Sequence, residues 1–119
     1  MKTFYYLSTC STCKRIMEAL PLDSKTDLRD IKKNTITEKE LEVMKSLSGT
    51  YESLFSKRAQ LYKQRDLKNK KLSENDYKNL ILEHYTFLKR PVLVLENQIF
   101  IGNASKTIEA AKTALDEQS

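Results

Sequence analysis

The amino-acid sequence predicts an α/β fold of order β-α-β, a helical insertion between the second and third strands, then β-β-α. Three observations lead there. An apolar run, Thr3-Phe4-Tyr5-Tyr6-Leu7, is followed by helically spaced apolar residues and a second strand-like stretch, the pattern of a βαβ unit. Two apolar runs, Val92-Leu93-Val94-Leu95 and Gln98-Ile99-Phe100-Ile101, flank Glu96-Asn97 as the arms of a hairpin flank its turn. Between these two parts the residues show helix caps and helical spacing. The 119 residues suit one domain, 1–119, with residues 37–88 as the insertion.

Taken in order, residues 3–7 are short, β-branched and aromatic, and apolar enough for a strand buried on both faces. Cys13, Ile16, Met17 and Leu20 follow at i, i+3, i+4 and i+7, one face of a helix that Pro21 stops. Residues 26–31 form the second strand, at an edge and parallel to the first. Thr37-Glu38-Lys39-Glu40 is a capping box, Leu41, Met44 and Leu47 give a buried stripe, and Gly49 ends that helix. Tyr51 to Phe55 suggest a short helical turn. Lys68-Asn69-Lys70-Lys71 suggest a solvated loop. Ser73-Glu74-Asn75-Asp76 caps another helix with Tyr77, Leu80, Ile81 and His84 on one face; His84 has the place of a packed or helix-terminal residue rather than a catalyst. After the hairpin, Ser105 is expected to cap a last helix with Ile108, Ala111 and Leu115 inward.

Only 2 Gly and 2 Pro accompany 31% charged residues, a helix-rich globular composition rather than a disordered one. No apolar run approaches membrane-spanning length, so no membrane partner is expected. The N-terminal residues lack the pattern of a targeting segment, which makes the cytoplasm the expected compartment. The net charge of +5, from 21 basic and 16 acidic residues, suits an oxyanion, a nucleic acid or an acidic protein surface. The absence of a groove-reading motif or interleaved aromatics argues against direct nucleic-acid binding.

Cys10-Ser11-Thr12-Cys13 holds both cysteines and falls where the first strand gives way to the first helix. A helix N-terminus offers unpaired N–H groups and the positive end of the dipole, which favour the nucleophilic thiolate. Cys10 at the helix mouth is the candidate nucleophile. Cys13, in the first turn, is close enough to attack a sulfur adduct on Cys10. Other readings are a metal site, a structural disulfide and buried inert thiols. Two cysteines with a distant His84 are too few for zinc, and no wider cysteine framework is present.

Arg58 and Arg90 are the candidate anion-binding residues. A guanidinium keeps its charge and can hold two oxygens at once. Pro91 opens the third strand, where no ladder donor is lost. Beside a first strand that delivers two thiols it is a candidate cis-proline.

Together these segments resemble the ArsC/Spx family of arsenate-reductase-like proteins with a thioredoxin-like core. Tyr5 to Arg15 is similar to that family's strand and cysteine loop. Leu54-Phe55-Ser56-Lys57-Arg58-Ala59-Gln60-Leu61-Tyr62-Lys63 is similar to its central segment, which puts Arg58 on its first anion-binding arginine. Leu88-Lys89-Arg90-Pro91-Val92-Leu93-Val94 is similar to the segment with the second arginine and the cis-proline, and Ile101-Gly102 to the turn before the last helix.

The resemblance implies a thiol-dependent oxidoreductase with no bound cofactor. Cys10 attacks an oxyanion such as arsenate, or a thiol adduct, while Arg58 and Arg90 hold the anion. Cys13 then resolves the adduct to a Cys10–Cys13 disulfide. Glutathione with glutaredoxin, or thioredoxin, supplies the electrons. Reductases of the glutaredoxin-linked branch carry a third arginine just after the glycine of the final turn and lack the second cysteine of the pair. Here that turn is Gly102-Asn103-Ala104-Ser105-Lys106, with Lys106 as the nearest cation, and Cys13 is present. Both departures lean toward the alternative the family offers, an Spx-like redox-switched regulator that binds the RNA polymerase α subunit.

Overall fold

The computed structural model describes residues 2–118, which divide into two compact units: 2–34 with 90–118, and 35–89. The first unit holds β1 (Lys2–Tyr6), α1 (Ser11–Ala19), β2 (Asp27–Asp30), β3 (Val92–Leu95), β4 (Gln98–Ile101) and α5 (Ser105–Gln118). The second holds α2 (Glu38–Ser48), α3 (Gln60–Gln64) and α4 (Glu74–Glu83), with 3-10 turns at Glu52–Leu54, Leu67–Asn69 and Tyr85–Phe87.

The four strands form one mixed sheet of order β2-β1-β3-β4. β1 and β2 are parallel, with Phe4 opposite Leu28 and Tyr6 opposite Asp30. β3 runs antiparallel to both β1 and β4. Alternation along the strands sends Phe4, Tyr6, Leu93, Leu95 and Phe100 to one face. There they pack with Ile16 within α1 and Leu20 just after it, and with Ala111, Ala114 and Leu115 of α5. Thr3, Tyr5, Val92 and Val94, on the other face, are buried as well. A strand covered on both faces is what the unbroken apolar run of β3 requires. At the edge, Leu28 of β2 remains exposed.

The second unit is built around aromatic rings. Phe55 stacks on Phe87 at 5.3 Å between centroids and meets Tyr77 at 4.9 Å. An isolated antiparallel bridge joins Phe55 and Leu88, through Ser56 N–H to Phe87 O (2.7 Å) and Lys89 N–H to Leu54 O (2.8 Å). Both capping boxes form. Thr37 Oγ1 accepts from Glu40 N–H at 3.1 Å, and Ser73 Oγ accepts from Asp76 N–H at 3.2 Å. Gly49 closes α2 at φ +98°, a conformation that glycine adopts without a Cβ penalty.

Two local expectations are corrected, and one helix was not foreseen. The last helix begins at Ser105, and its first bond runs from Ile108 N–H to Ala104 O, so Ser105 is inside the helix rather than capping it. The basic stretch from Lys68 is partly a 3-10 turn, nucleated by buried Leu67. α3 is a helix of five residues, too short to leave a periodic signal. Among the described residues no helix is long and apolar enough to cross a membrane.

Candidate active site

The sheet register gathers the candidate groups of the first unit. Parallel β1 and β2 end on the same side, and β3, antiparallel to β1, begins there. Tyr5 is opposite Val92, so the loop leaving β1 and the Arg90-Pro91 segment entering β3 meet at one sheet end. β4 finishes there too, with Ile101 opposite Val92 and Gly102 N–H bonded to Pro91 O at 2.8 Å.

Leu7 to Cys10 is the loop that carries the chain from β1 into α1. Cys10 N–H bonds to Leu7 O at 3.0 Å, and Cys10 O accepts the first helical bond from Lys14 N–H at 3.2 Å. Cys10 is therefore the N-cap residue of α1, half-buried, while Cys13 in the first turn is fully buried. Both are free thiols.

Their ionisation is split. For Cys10, burial acts to raise the pKa, but the N–H and thiol of Cys13, the charge of Arg90 and the amide of Thr12 outweigh it. The result lies below the ordinary cysteine value. For Cys13, burial dominates; a backbone hydrogen bond at Leu7 works against it, and the Cys10 sulfur adds to it. Its pKa is pushed up to about 11. One thiol is thus made acidic and the other holds its proton and shares it in a hydrogen bond to the first. Cys10 makes no side-chain capping hydrogen bond; the amides of Cys13 and Thr12 favour its thiolate as donors at the helix N-terminus.

Arg90 is half-buried, and its Nη1 is buried with no hydrogen-bond partner among the described residues. A guanidinium nitrogen in that state leaves hydrogen-bonding capacity unused beside an acidic thiol. The Arg90–Pro91 peptide bond is cis, and Pro91 is buried. Arg58 belongs to the second unit, where it is exposed on the turn between Phe55 and α3. Lys106 lies in the first turn of α5, also exposed. Its neighbours along a shallow surface depression are Glu109, Ala110, Lys112, Thr113 and Asp116. His84 ends α4, where its Nδ1 accepts from Thr86 N–H at 3.2 Å, and its ring stacks on Tyr85. Among the described residues no three His, Cys, Asp or Glu side chains gather as a metal site needs.

Sequence reasoning missed Asp30 and Ser8. Asp30 ends β2 and is 5% exposed, and its Oδ1 accepts from Ser8 N–H of the cysteine loop at 3.3 Å. An acidic residue in a strand where three of four residues are charged gives no local signal, and its partner lies far away in sequence.

A sequence model of the ArsC family matches residues 5–111. The chain belongs to the ArsC family. Regulatory protein MgsR of Bacillus subtilis (strain 168) is 26% identical over 120 residues, 98% of this chain and 95% of MgsR. A crystal structure from Streptococcus mutans UA159, described as a possible arsenate reductase, superposes with TM-score 0.68 at 32% identity, covering 92% of this chain and 98% of that one. Arsenate reductase from Vibrio cholerae superposes with TM-score 0.75 at 17% identity, over 96% of each chain. The fold of this ArsC-family chain is the thioredoxin-like α/β fold of arsenate reductases.

Proposed function

We propose that this ArsC-family chain is a thiol-dependent oxidoreductase of arsenate-reductase type. The observation that supports it best is the pairing of an acidic Cys10 thiol with a protonated Cys13 thiol beside Arg90. In this reading Cys10 thiolate attacks arsenic(V) of arsenate, a Cys10–S–As bond forms, and one oxygen leaves as water. Arg90 holds the remaining oxygens and balances charge that builds on them, a role that the family resemblance also gives to Arg58. Cys13 loses its proton and attacks the Cys10 sulfur. The S–As electron pair passes to arsenic, arsenite leaves, and a Cys10–Cys13 disulfide remains. Two thiols have given two electrons. Thioredoxin, or glutathione with glutaredoxin, restores the dithiol, which suits a cytoplasmic setting. No bound cofactor is required.

The test is arsenate turnover with each donor system, followed by mass spectrometry of the protein. Turnover that vanishes in Cys10→Ser and falls strongly in Arg58→Ala is expected. Absence of turnover with both donor systems counts against the reading.

A second reading is favoured by the nearly full-length match to regulatory protein MgsR and by Lys106 standing where an arginine is expected. The same dithiol then acts as a redox switch for binding the RNA polymerase α subunit. It predicts an internal disulfide from mild oxidant with no response to arsenate, and a complex whose affinity changes with that disulfide.

A further inference from the structure

Asp30 is the one acidic side chain among the described residues that is fully buried, and packing does not explain it. Removing a carboxylate from water costs several kcal/mol unless its lone pairs are used. Here they are only partly used. Oδ1 accepts Ser8 N–H at 3.3 Å and Lys32 N–H at 3.2 Å, while Oδ2 is buried without a hydrogen-bond partner. The backbone of Asp30 is also committed: its carbonyl takes Lys33 N–H at 3.1 Å and Asn34 N–H at 2.9 Å, closing the turn after β2. The bond to Lys32 N–H is an Asx-type contact that also serves this turn, whereas the bond to Ser8 N–H reaches outside it.

What the charge does reach is the cysteine loop. Within Leu7 to Cys10 a single backbone bond, Cys10 N–H to Leu7 O, folds the loop on itself. Ser8 N–H points away from that bond and into Asp30. Charged acceptors form hydrogen bonds roughly twice as strong as neutral ones, and burial strengthens them further. This loop leads directly into Cys10, whose thiol the amides of Cys13 and Thr12 act on.

We propose that Asp30 is a positioning residue for the Cys10 thiolate, acting through the Ser8 amide to hold the cysteine loop against the end of β2. Burial raises the Asp30 pKa, but the Ser8 hydroxyl, the Lys32 and Ser8 amides and the Lys33 charge hold it below the ordinary carboxylate range, so the anchor stays ionised at neutral pH. The inference rests on Cys10 as the reactive thiol, but not on any substrate.

The test is the rate of iodoacetamide alkylation at Cys10 against pH, resolved from Cys13 by peptide mass spectrometry, in the reduced full chain. Asp30→Ala removes the anchor and should move the Cys10 midpoint upward, with about a tenfold slower reaction at pH 7 for each unit moved. Asp30→Leu fills the space without an acceptor and serves the same purpose if the alanine variant does not fold. Asp30→Asn keeps an oxygen for both amides but loses the charge, and its rate should fall between those of the parent and Asp30→Ala. Thr26→Val, another buried polar residue beside β2, should lower stability without moving the profile. The sign separates geometry from charge. A carboxylate acting only as a nearby charge disfavours the thiolate, so its removal would speed Cys10. Wild-type or faster alkylation in Asp30→Ala overturns the proposal, as does an Asp30→Asn variant as slow as Asp30→Ala. Failure of arsenate turnover leaves it standing.

Discussion

The two compact units differ in how fully their buried polar groups are satisfied. In the second unit, rings pack on rings, both long helices carry capping boxes, and Glu74 accepts the N–H groups of Tyr51 and Glu52 at 2.7 and 3.1 Å. Among the described residues none of its buried side-chain nitrogens or oxygens lacks a partner. In the first unit, Asp30 Oδ2 and Arg90 Nη1 are buried and unsatisfied, and both belong to the sheet end that carries the cysteines. A group left unsatisfied inside a protein costs stability, so two of them at one sheet end call for an explanation. The difference teaches where to look: the rings and caps of the second unit read as structure, the end of the first unit's sheet as a site.

The largest effects should come from packing. Phe55→Ala in the second unit and Phe4→Ala in the first each remove a fully buried ring, and each should lose about 3–5 kcal/mol in denaturant unfolding. Losses under about 1 kcal/mol would mean these rings are not the cores assigned here. A smaller effect, of another kind, is expected at the sheet end. Arg90→Ala should slow Cys10 alkylation at pH 7 by about three- to tenfold, because the positive charge that favours the thiolate is gone. It should cost far less stability than Phe55→Ala. An Arg90 variant that unfolds as readily as the Phe55 variant would erase the contrast between the two regions. The smallest effect is a cap. Thr37→Ala breaks the capping box of α2 and should cost about 1 kcal/mol, with no change in Cys10 reactivity.

What could be read from sequence alone follows from the range of each signal. The capping boxes at Thr37 and Ser73 are local, with partners three residues on, and both form. The hairpin around Glu96-Asn97 and the parallel β1–β2 pair were legible for the same reason, since alternation and connection length decide them. α3 and the 3-10 turns were not, because five residues or fewer hold no period. Ser105 misled because a serine before a helical stripe looks like a cap, whereas the chain turns one residue earlier. At the site, spacing alone singles out Cys10 and Cys13. That Arg90 faces them depends on antiparallel register, and that Asp30 holds Ser8 depends on a contact 22 residues apart, which no local pattern encodes.

The central claim is that two thiols three residues apart ionise separately, Cys10 early and Cys13 late. The direct measurement is the alkylation rate of each cysteine in the reduced protein from pH 5 to 11. The sign follows from the environments: Cys10 gains its thiolate below the ordinary cysteine value, and Cys13, whose proton is held by burial, gains its own only toward a pKa of about 11. At neutral pH, Cys10 should therefore be modified while Cys13 is spared. Two cysteines that titrate together near the ordinary value, or a Cys13 that reacts first, would contradict the account.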